Sequence, residues 1–167
     1  MTNVYLSLGA NVGNRAENIA RAIAELRKRG VSVTRESSLY ETEPVEFLEQ
    51  PWFLNGAIEA QTELPPERLL GVLVAIEREM GRQRRIPKGP RLIDMDILLY
   101  GSEVVREPGL EIPHPRMAER RFVLVPLAEI AGETFHPVAM MTIAEMLEAT
   151  ADRSEVRLWR AEKGGHS

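Results

Sequence analysis

The segment Lys88-Gly-Pro-Arg-Leu-Ile-Asp94-Met-Asp96-Ile-Leu-Leu-Tyr100 carries two carboxylates, one residue apart, at the start of an apolar run. Its composition predicts a β-strand over about residues 93–100. Because successive side chains of a strand point to opposite faces, Asp94 and Asp96 are expected to share one face with Leu98. The opposite face is wholly apolar, which predicts that it is buried; it comprises Ile93, Met95, Ile97 and Leu99.

The chain before this strand alternates between strand and helix patterns. Val4, Leu6 and Leu8 recur at every second position, which predicts a first strand. Asn14 and Glu17 have the spacing of a capping box, and a helix that begins there would end at Gly30. The further predicted elements are a strand over residues 31–40, a strand over 52–62 and, after Pro65-Pro66, a helix that ends before Gly81.

The order of these elements is βαββαβ, which predicts an α+β fold with a mainly antiparallel sheet, arranged as a ferredoxin-like sandwich. After residue 100, we expect a hairpin around Val104 and Val105, a helix over 122–130 despite Pro126, another over 141–150, and a strand over 156–159. The expected architecture is thus a ferredoxin-like βαββαβ sandwich with an appended C-terminal helix and strand. No repeat or linker interrupts the sequence, so residues 1–167 are predicted to form one domain, with a frayed tail over 163–167.

The overall composition excludes several classes of protein. Hydrophobic residues make up 44% of the 167 and charged residues 28%, as in ordinary globular proteins, and the net charge of −4 gives no general attraction for nucleic acid. The absence of cysteine excludes disulfides, thiolate zinc sites and a cysteine nucleophile. No apolar run has the length of a membrane span and no signal peptide is recognisable, so we expect a cytoplasmic protein without membrane or nucleic-acid partners.

A basic segment lies directly before the two aspartates. Residues 82–91 contain five cations and no acid, namely Arg82, Arg84, Arg85, Lys88 and Arg91. A solvated connector is one interpretation. However, Gly89 and Pro90 restrain the chain beside Arg91, and a guanidinium held there could bridge two phosphate oxygens. Gly81 and Gly89 bracket the segment, which would let it close over a ligand as a lid.

The aspartate pair favours a magnesium site. Two carboxylates this close repel each other, and a divalent cation removes that repulsion. Magnesium fits best because carboxylates, phosphate oxygens and water are its usual ligands. The alternative is a pair of acids on a solvated strand edge, but the adjoining cations favour a site that holds Mg²⁺ together with a small polyphosphate.

Two further groups are candidates for substrate contacts. His114 lies between two prolines, so it could form either a turn or part of a second phosphate-binding patch; the cations nearby are Arg116, Arg120 and Arg121. Phe53 and Asn55 share a face of their predicted strand and, with Phe122, would suit a flat heterocycle, although both phenylalanines could equally belong to the core. The sequence contains neither a P-loop nor a dinucleotide-binding glycine motif.

Taken together, these residues resemble the signature of the 6-hydroxymethyl-7,8-dihydropterin pyrophosphokinase family of the folate pathway. The central match is Lys88-Gly89-Pro90-Arg91-x-x-Asp94-x-Asp96-Ile97-Leu98. Supporting matches, in chain order, are Leu8-Gly9-Ala-Asn11, Tyr40-x-Thr42-x-Pro44, Phe53-Leu54-Asn55, Ile76-Glu77, Gly81-Arg82, Pro113-His114 and Arg120-x-Phe122. The resemblance extends over about residues 4–130.

The resemblance implies transfer of pyrophosphate from ATP to the hydroxymethyl group of the dihydropterin, giving the pterin diphosphate and AMP. It implies that Asp94 and Asp96 hold two Mg²⁺ ions and act in catalysis with Arg82 and Arg91. The implied ATP-binding residues are Glu77, Arg82, Arg84, Lys88, Arg91, Ile97, His114 and Arg120. The implied pterin-binding residues are Thr42, Pro44, Val45, Phe53, Asn55 and Phe122. The segments 43–51 and 82–91 would close over both substrates, and we expect the enzyme to be a monomer.

Two other classes of function compete with this one. A non-catalytic ferredoxin-like sensor could bind a nucleotide at the same residues without releasing AMP. A two-metal nuclease or an Asp-x-Asp glycosyltransferase could also use the aspartate pair, but the acidic balance argues against nucleic acid as a substrate.

Overall fold

The computed structural model describes residues 1–44, 49–81 and 92–160, which form strands, helices and a 3₁₀ helix at Met117–Glu119. The strands are β1 (Thr2–Ala10), β2 (Val31–Glu36), β3 (Tyr40–Thr42), β4 (Phe53–Thr62), β5 (Asp94–Tyr100), β6 (Val105–Glu107), β7 (Leu110–Ile112), β8 (Phe135–His136), β9 (Met141–Thr142) and β10 (Val156–Leu158). The helices are α1 (Arg15–Arg27), α2 (Pro66–Glu79), α3 (Arg121–Ala131) and α4 (Ile143–Ala149).

A six-stranded sheet organises the described chain, in the order β10-β3-β4-β1-β5, with β2 also paired to β4. β3 pairs with the N-terminal end of β4, and β2 pairs with its C-terminal half. Every pairing in this sheet is antiparallel. The prediction of an α+β fold with a mainly antiparallel sheet is therefore confirmed.

Helices α1 and α2 cover one face of the sheet because each has an apolar stripe at helical spacing. Leu26 of α1 belongs to the same buried cluster as Leu6 of β1 and Ile58 of β4. The side chains that α2 adds to this cluster are Leu69, Leu73 and Ile76. Asn14 caps α1, as predicted, by accepting a hydrogen bond from the N–H of Glu17 (3.1 Å).

Helices α3 and α4 pack against the opposite face. Tyr5 of β1 and Ala57 of β4 share a second buried cluster with Leu124 of α3 and Met146 of α4. α3 continues through Pro126, which is buried, as the sequence predicts. No membrane-spanning helix exists in the described parts of the chain, where every helix is too short or too polar.

A bulge in β5 changes which of its residues share a face. Leu6 of β1 pairs with Ile97, but the adjacent Tyr5 pairs with Leu99, so Leu98 is an additional residue on β5. Leu98 and Leu99 consequently both pack in the cluster with α3, whereas Ile97 packs with α1 and α2. The prediction that Leu99 lies on the same face as Ile97 is therefore wrong, because simple alternation stops at the bulge.

One predicted strand and one predicted hairpin are arranged differently in the structure. The strand expected over 31–40 is two strands, β2 and β3, because the chain leaves the ladder at Ser37, whose hydroxyl accepts a hydrogen bond from the N–H of Ala57 (2.9 Å). The hairpin expected around Val104 and Val105 is formed by β6 and β7, and not as a return of β5. Its turn contains Gly109 with φ of 80°, a conformation that glycine adopts without strain.

The helices predicted over 122–130 and 141–150 and the strand predicted over 156–159 are present in the C-terminal part, which therefore adds two helices, and not one, to the βαββαβ core. These helices are α3 and α4, and β10 pairs with β3 within the main sheet. This pairing was not predictable from periodicity, because β10 is only three residues long. The predicted lid over 82–91, the contact at Val45 and the tail over 163–167 lie outside the described residues.

Candidate functional site

A row of directly paired residues crosses four strands at one end of the sheet. Asp94 of β5 pairs with Gly9 of β1, which pairs with Asn55 of β4, which pairs with Tyr40 of β3. Directly opposed residues of an antiparallel pair point to the same face, so this row lies on the α3 side of the sheet. With about 4.8 Å between strands, Asp94 and Asn55 are about 10 Å apart. The neighbouring row consists of Asp96, Ser7 and Ala57.

The two aspartates lie on this face, as predicted, and their oxygens could bind a metal ion. The side chain of Asp96 is 43% exposed, and its Oδ1 is 4.0 Å from Nε2 of His114. Within residues 1–44, 49–81 and 92–160, no group of three or more histidine, aspartate or glutamate side chains could hold a metal. Asp94 and Asp96 would thus supply two hard oxygen ligands and leave other positions to water or phosphate, which is the kind of shell that Mg²⁺ accepts.

His114 is fixed beside Asp96 by two backbone hydrogen bonds. Its N–H donates to the carbonyl oxygen of Leu98 (3.0 Å), at the bulge of β5. Its Nδ1 accepts from the N–H of Arg116 (3.1 Å), so the ring proton is on Nε2, the nitrogen that faces Asp96. A neutral His114 therefore presents an N–H donor next to the aspartate pair.

Two of the residues assigned to ATP by the resemblance are buried. Glu77 of α2 is 5% exposed, and its Oε2 accepts a hydrogen bond from the N–H of Met95 (2.8 Å), between the two aspartates. Ile97 is 6% exposed and belongs to the cluster under α1 and α2. Glu77 thus holds the backbone that carries the aspartates, and its role in binding ATP stays a prediction, as does that of Ile97.

Asn55 and Thr42 form a buried polar pair on the same face. The Nδ2 of Asn55 donates to Oγ1 of Thr42 (2.7 Å), and the two residues are 5% and 2% exposed. In the part of the chain that the structure describes, Oδ1 of Asn55 accepts no hydrogen bond. A buried amide oxygen without a donor is costly, so this atom is suited to receive an N–H group from a ligand.

The aromatic residues predicted around the pterin are at the edge of this face. Phe53 is half-buried next to Gly9, and Pro44 is buried at the end of the described part of its loop. Phe122 packs partly against the cluster of α3, and the guanidinium of Arg120 lies 5.6 Å from the centre of its ring. A groove of about 600 Å³ extends from Pro44 to Arg120; it is lined also by Arg116, Thr150, Asp152 and Ser154.

The start of α3, which carries Arg120 and Phe122, is held by a residue that sequence analysis did not identify. Asp152 accepts hydrogen bonds from the N–H of Arg121 (2.7 Å) and from the N–H of Ser154 (2.9 Å). Burial opposes ionisation, but these hydrogen bonds and that of the Ser154 hydroxyl hold the pKa of Asp152 below its ordinary value. No local sequence signal identifies this cap, because Asp152 lies 31 residues from Arg121.

Two more positions of the site were missed. Asn11 is 2% exposed and donates through Nδ2 to the side chain of Gln50 (2.8 Å) and to the carbonyl oxygen of Pro51 (3.0 Å), which ties the end of β1 to the 49–51 segment. Gly9 lies directly under the Asn55 amide. The motif Leu8-Gly9-Ala-Asn11 was noted in the sequence, but without a role for either residue.

The structure places Thr42, Asn55, Asp94 and Asp96 on one face of the sheet, whereas the side chains of Glu77 and Ile97 lie on the side of α1 and α2. The predicted cationic residues Arg82, Arg84, Lys88 and Arg91, and the predicted pterin contact Val45, lie outside the described residues. Their contacts with substrates stay predictions.

Comparisons with known proteins show which family this chain resembles. Residues 5–132 match the family model described as 7,8-dihydro-6-hydroxymethylpterin-pyrophosphokinase (HPPK). The 2-amino-4-hydroxy-6-hydroxymethyldihydropteridine pyrophosphokinase of Bacillus subtilis is 42% identical over 166 residues, which cover 98% of this chain and 95% of the relative. The folic acid synthesis protein fol1 of Pneumocystis carinii is 47% identical over 149 residues, or 89% of this chain but 20% of that much longer protein.

Solved structures show the same fold. The wild-type HPPK-DHPS of Plasmodium falciparum superimposes with a TM-score of 0.70 at 17% sequence identity, over 88% of this chain and 44% of that one. An HPPK-DHPS crystallised in complex with substrates gives a TM-score of 0.71 at 15% identity, over 88% of this chain and 43% of that one. The present chain thus spans less than half of these structural relatives, whose likeness concerns the fold.

Proposed function

This chain belongs to the 7,8-dihydro-6-hydroxymethylpterin-pyrophosphokinase family, and we propose that it transfers pyrophosphate from ATP to 6-hydroxymethyl-7,8-dihydropterin in folate synthesis. The products are AMP and the pterin diphosphate. The observation that carries the proposal is the row from Asp94 through Gly9 to Asn55, which sets a carboxylate pair about 10 Å from a buried amide. A phosphate site and a heterocycle site are therefore adjacent on one face of the sheet.

The aspartates would hold the magnesium that accompanies ATP. We infer that Asp94 and Asp96 would hold two Mg²⁺ ions, because paired carboxylates and the oxygens of a polyphosphate are the hard ligands that Mg²⁺ prefers. The bound ions would neutralise charge on the phosphates and on the attacking and leaving oxygens. The protein supplies the register of β5, which points both carboxylates to the same side.

The pterin would occupy the face between Phe53 and Phe122. Its N–H groups would donate to Oδ1 of Asn55, which accepts no hydrogen bond from any described residue, and Thr42 would keep the amide in that orientation. Pro44 belongs to the same predicted pocket, as does Val45, which lies outside the described residues, and their contacts are part of the proposal.

The reaction requires positioning and charge stabilisation more than a strong base. The hydroxymethyl oxygen attacks the β-phosphorus, the bond from that phosphorus to the oxygen of the α-phosphate breaks, and AMP leaves with that oxygen. We propose that His114, which lies beside Asp96, and Arg120 donate to phosphate oxygens, through Nε2–H and the guanidinium respectively. We propose that Arg82, Arg84, Lys88 and Arg91 complete the phosphate contacts, with Arg82 and Arg91 acting in catalysis.

Four further features belong to the same proposal: a single domain over 1–167, a ferredoxin-like topology, a monomer and a cytoplasmic location. The strand order β2-β4-β1-β5, antiparallel throughout, supports the topology. The pairing of β10 with β3 supports a single domain, because it joins the C-terminal described residues to the main sheet.

The decisive experiment mixes the protein with Mg²⁺, ATP and hydroxymethyl-dihydropterin, and follows AMP and pterin diphosphate by chromatography. We expect AMP to appear only when the pterin is present and Mg²⁺ has not been chelated. Release of ADP, or AMP formation that does not depend on the pterin, would refute the proposal. ATP binding without turnover would instead favour the nucleotide sensor.

A further inference from the structure

Gly9 occupies the position over which the Asn55 amide lies. A Cβ atom built on Gly9 would stand 2.4 Å from Oδ1 of Asn55 and 3.7 Å from Cδ2 of Phe53. The first separation is far inside van der Waals contact, so any side chain at position 9 would displace the amide oxygen. Gly9 borders Asn55 and Phe53, two residues of the candidate pterin pocket. The space that its lack of a side chain leaves therefore belongs to that pocket.

The Asn55 amide cannot evade such a side chain without losing its own anchor. Its Nδ2 is held on the far side by the 2.7 Å hydrogen bond to Thr42, and both residues are buried. A shift of Oδ1 away from β1 rotates or translates the whole planar amide. That movement either breaks the bond to Thr42 or carries the acceptor oxygen away from its present position.

The backbone gives no separate reason for a glycine here. Among the glycines that the structure describes, those with positive φ are Gly13, Gly30, Gly81, Gly101 and Gly109, and Gly9 is not one of them. Gly9 is an interior residue of β1, paired on both sides, where glycine costs about 0.5–1 kcal/mol relative to alanine. An alanine would therefore suit the strand, and the requirement for glycine arises from the space that Asn55 occupies.

We propose that Gly9 is a specificity-determining residue of the heterocycle site, which acts by leaving room for Oδ1 of Asn55 to face the substrate. The identity of the substrate in this inference rests on the proposed function, whereas the contact between Gly9 and Asn55 does not depend on it. Gly9 touches the pocket through Asn55 and Phe53, and it is a positioning residue in the transfer reaction.

The first test compares Gly9→Ala with Gly56→Ala. Gly56 also lies in the sheet, and a Cβ there would meet the side chain of Leu39 at 2.9 Å, but on the face away from Asn55. We expect Gly9→Ala to raise KM for the pterin at least tenfold with little change in KM for ATP. Gly56→Ala should leave both values near wild type, even if it lowers stability. Equal pterin KM values for the two variants would overturn the proposal.

The second test measures the Gly9–Asn55 contact without any activity. Urea unfolding is followed for wild type, Gly9→Ala, Asn55→Ala and the double variant. We expect Gly9→Ala to destabilise the wild type but to be neutral or stabilising in the Asn55→Ala background, because the clash has gone. Additive effects in this cycle would refute the contact, whatever the assay shows. If the effects are non-additive as expected but the protein shows no pterin-dependent turnover, the proposed function is refuted and the contact between Gly9 and Asn55 is established.

Discussion

At the scale of single residues, the direction of the two carboxylates depends on where β5 departs from regular alternation. The bulge is at Leu98, two residues after Asp96, so Asp94 and Asp96 retain the same phase. A one-residue shift in a strand moves every later side chain to the other face. A bulge between the aspartates would therefore turn one of them toward α1 and α2, where no ligand could reach it.

Replacing Asp96 tests the metal site. We expect Asp96→Ala to lower the rate of pterin-dependent AMP formation by about a thousandfold, which corresponds to about 4 kcal/mol of lost transition-state stabilisation. Circular dichroism and the urea midpoint should stay close to wild type, because the side chain is 43% exposed. Glu107→Ala, which removes an exposed carboxylate from β6, is the matched control and should keep full activity. Retained turnover in Asp96→Ala would contradict the metal assignment.

Thr42 tests whether the orientation of Asn55 matters for the pterin. Thr42→Val preserves the side-chain shape but removes the oxygen that accepts from Nδ2 of Asn55. The amide loses its anchor, and we expect KM for the pterin to rise about tenfold, or about 1.4 kcal/mol, with KM for ATP unchanged. Thr34→Val, at an exposed threonine of β2, serves as the control. An unchanged pterin KM would show that the anchor is dispensable.

At the scale of elements, α3 depends on a cap from a distant part of the chain. Its preceding residue, Arg120, provides no side-chain cap, and the carboxylate of Asp152 takes the N–H of Arg121 instead. A negative charge at a helix N-terminus also interacts favourably with the helix dipole. This contact fixes the turn that carries Phe122 and Arg120, the second of which lines the groove.

Asp152 is therefore expected to contribute to both stability and binding. Asp152→Ala should lower the free energy of unfolding by about 1 kcal/mol, the usual value of a helix cap. Asp152→Asn keeps an acceptor oxygen but loses the charge, so we expect a smaller loss. Urea denaturation measures the loss of stability in each variant, and KM for the pterin should rise more in Asp152→Ala than in Asp152→Asn. Equal stability of wild type and Asp152→Ala would show that Asp152 does not cap α3.

The elements that sequence analysis identified correctly are those with strong local signals. The long strands, α1 with its Asn14 cap, and α2 follow from hydrophobic periodicity alone. The elements that differ depend on contacts across the fold: the bulge at Leu98, the break at Ser37 and the pairing of β10. The same contrast applies to the site, because the shared face of Asp94 and Asp96 and the direction of Asn55 are predicted by the alternation of side chains along a strand. Gly9 and Asp152 act through partners on other elements.

At the scale of the whole molecule, several ionisable groups bind protons less readily in the folded protein than in the unfolded chain. Burial lowers the pKa of His136 from its ordinary value of 6.5. Burial opposes ionisation of Glu129, but hydrogen bonds from Tyr40 and Ser38 hold its pKa below 4.5. Burial also opposes ionisation of Glu41, but hydrogen bonds from Arg15 and Arg157 hold the pKa of Glu41 below its ordinary value.

These shifts predict the pH dependence of stability. A group whose folded pKa is lowered contributes fully above its unfolded pKa and loses that contribution as the pH falls. We therefore expect the free energy of unfolding to decline below about pH 6.5, first through His136 and then, below about pH 4.5, through Glu129 and Glu41. Urea denaturation at a series of pH values measures this decline.

The variant His136→Asn isolates the first part of that decline. Asparagine can still accept from the N–H groups of Val138 and Ala139, which now donate to Nδ1 of His136, but it does not titrate. We expect the variant to lose the part of the slope that begins just below pH 6.5, the ordinary pKa of histidine. An unchanged slope would assign the decline to other groups.

The pairing of β10 with β3 has a consequence for when the protein becomes functional during its synthesis. β3 carries Thr42, and it lies between β4 and β10, the last strand of the main sheet to leave the ribosome. The cap on α3 is also supplied late, from Asp152. The heterocycle pocket thus lacks two of its supports until residues 152–158 have been synthesised. Because domains generally fold as units, we expect a nascent chain to bind neither substrate until these residues have emerged.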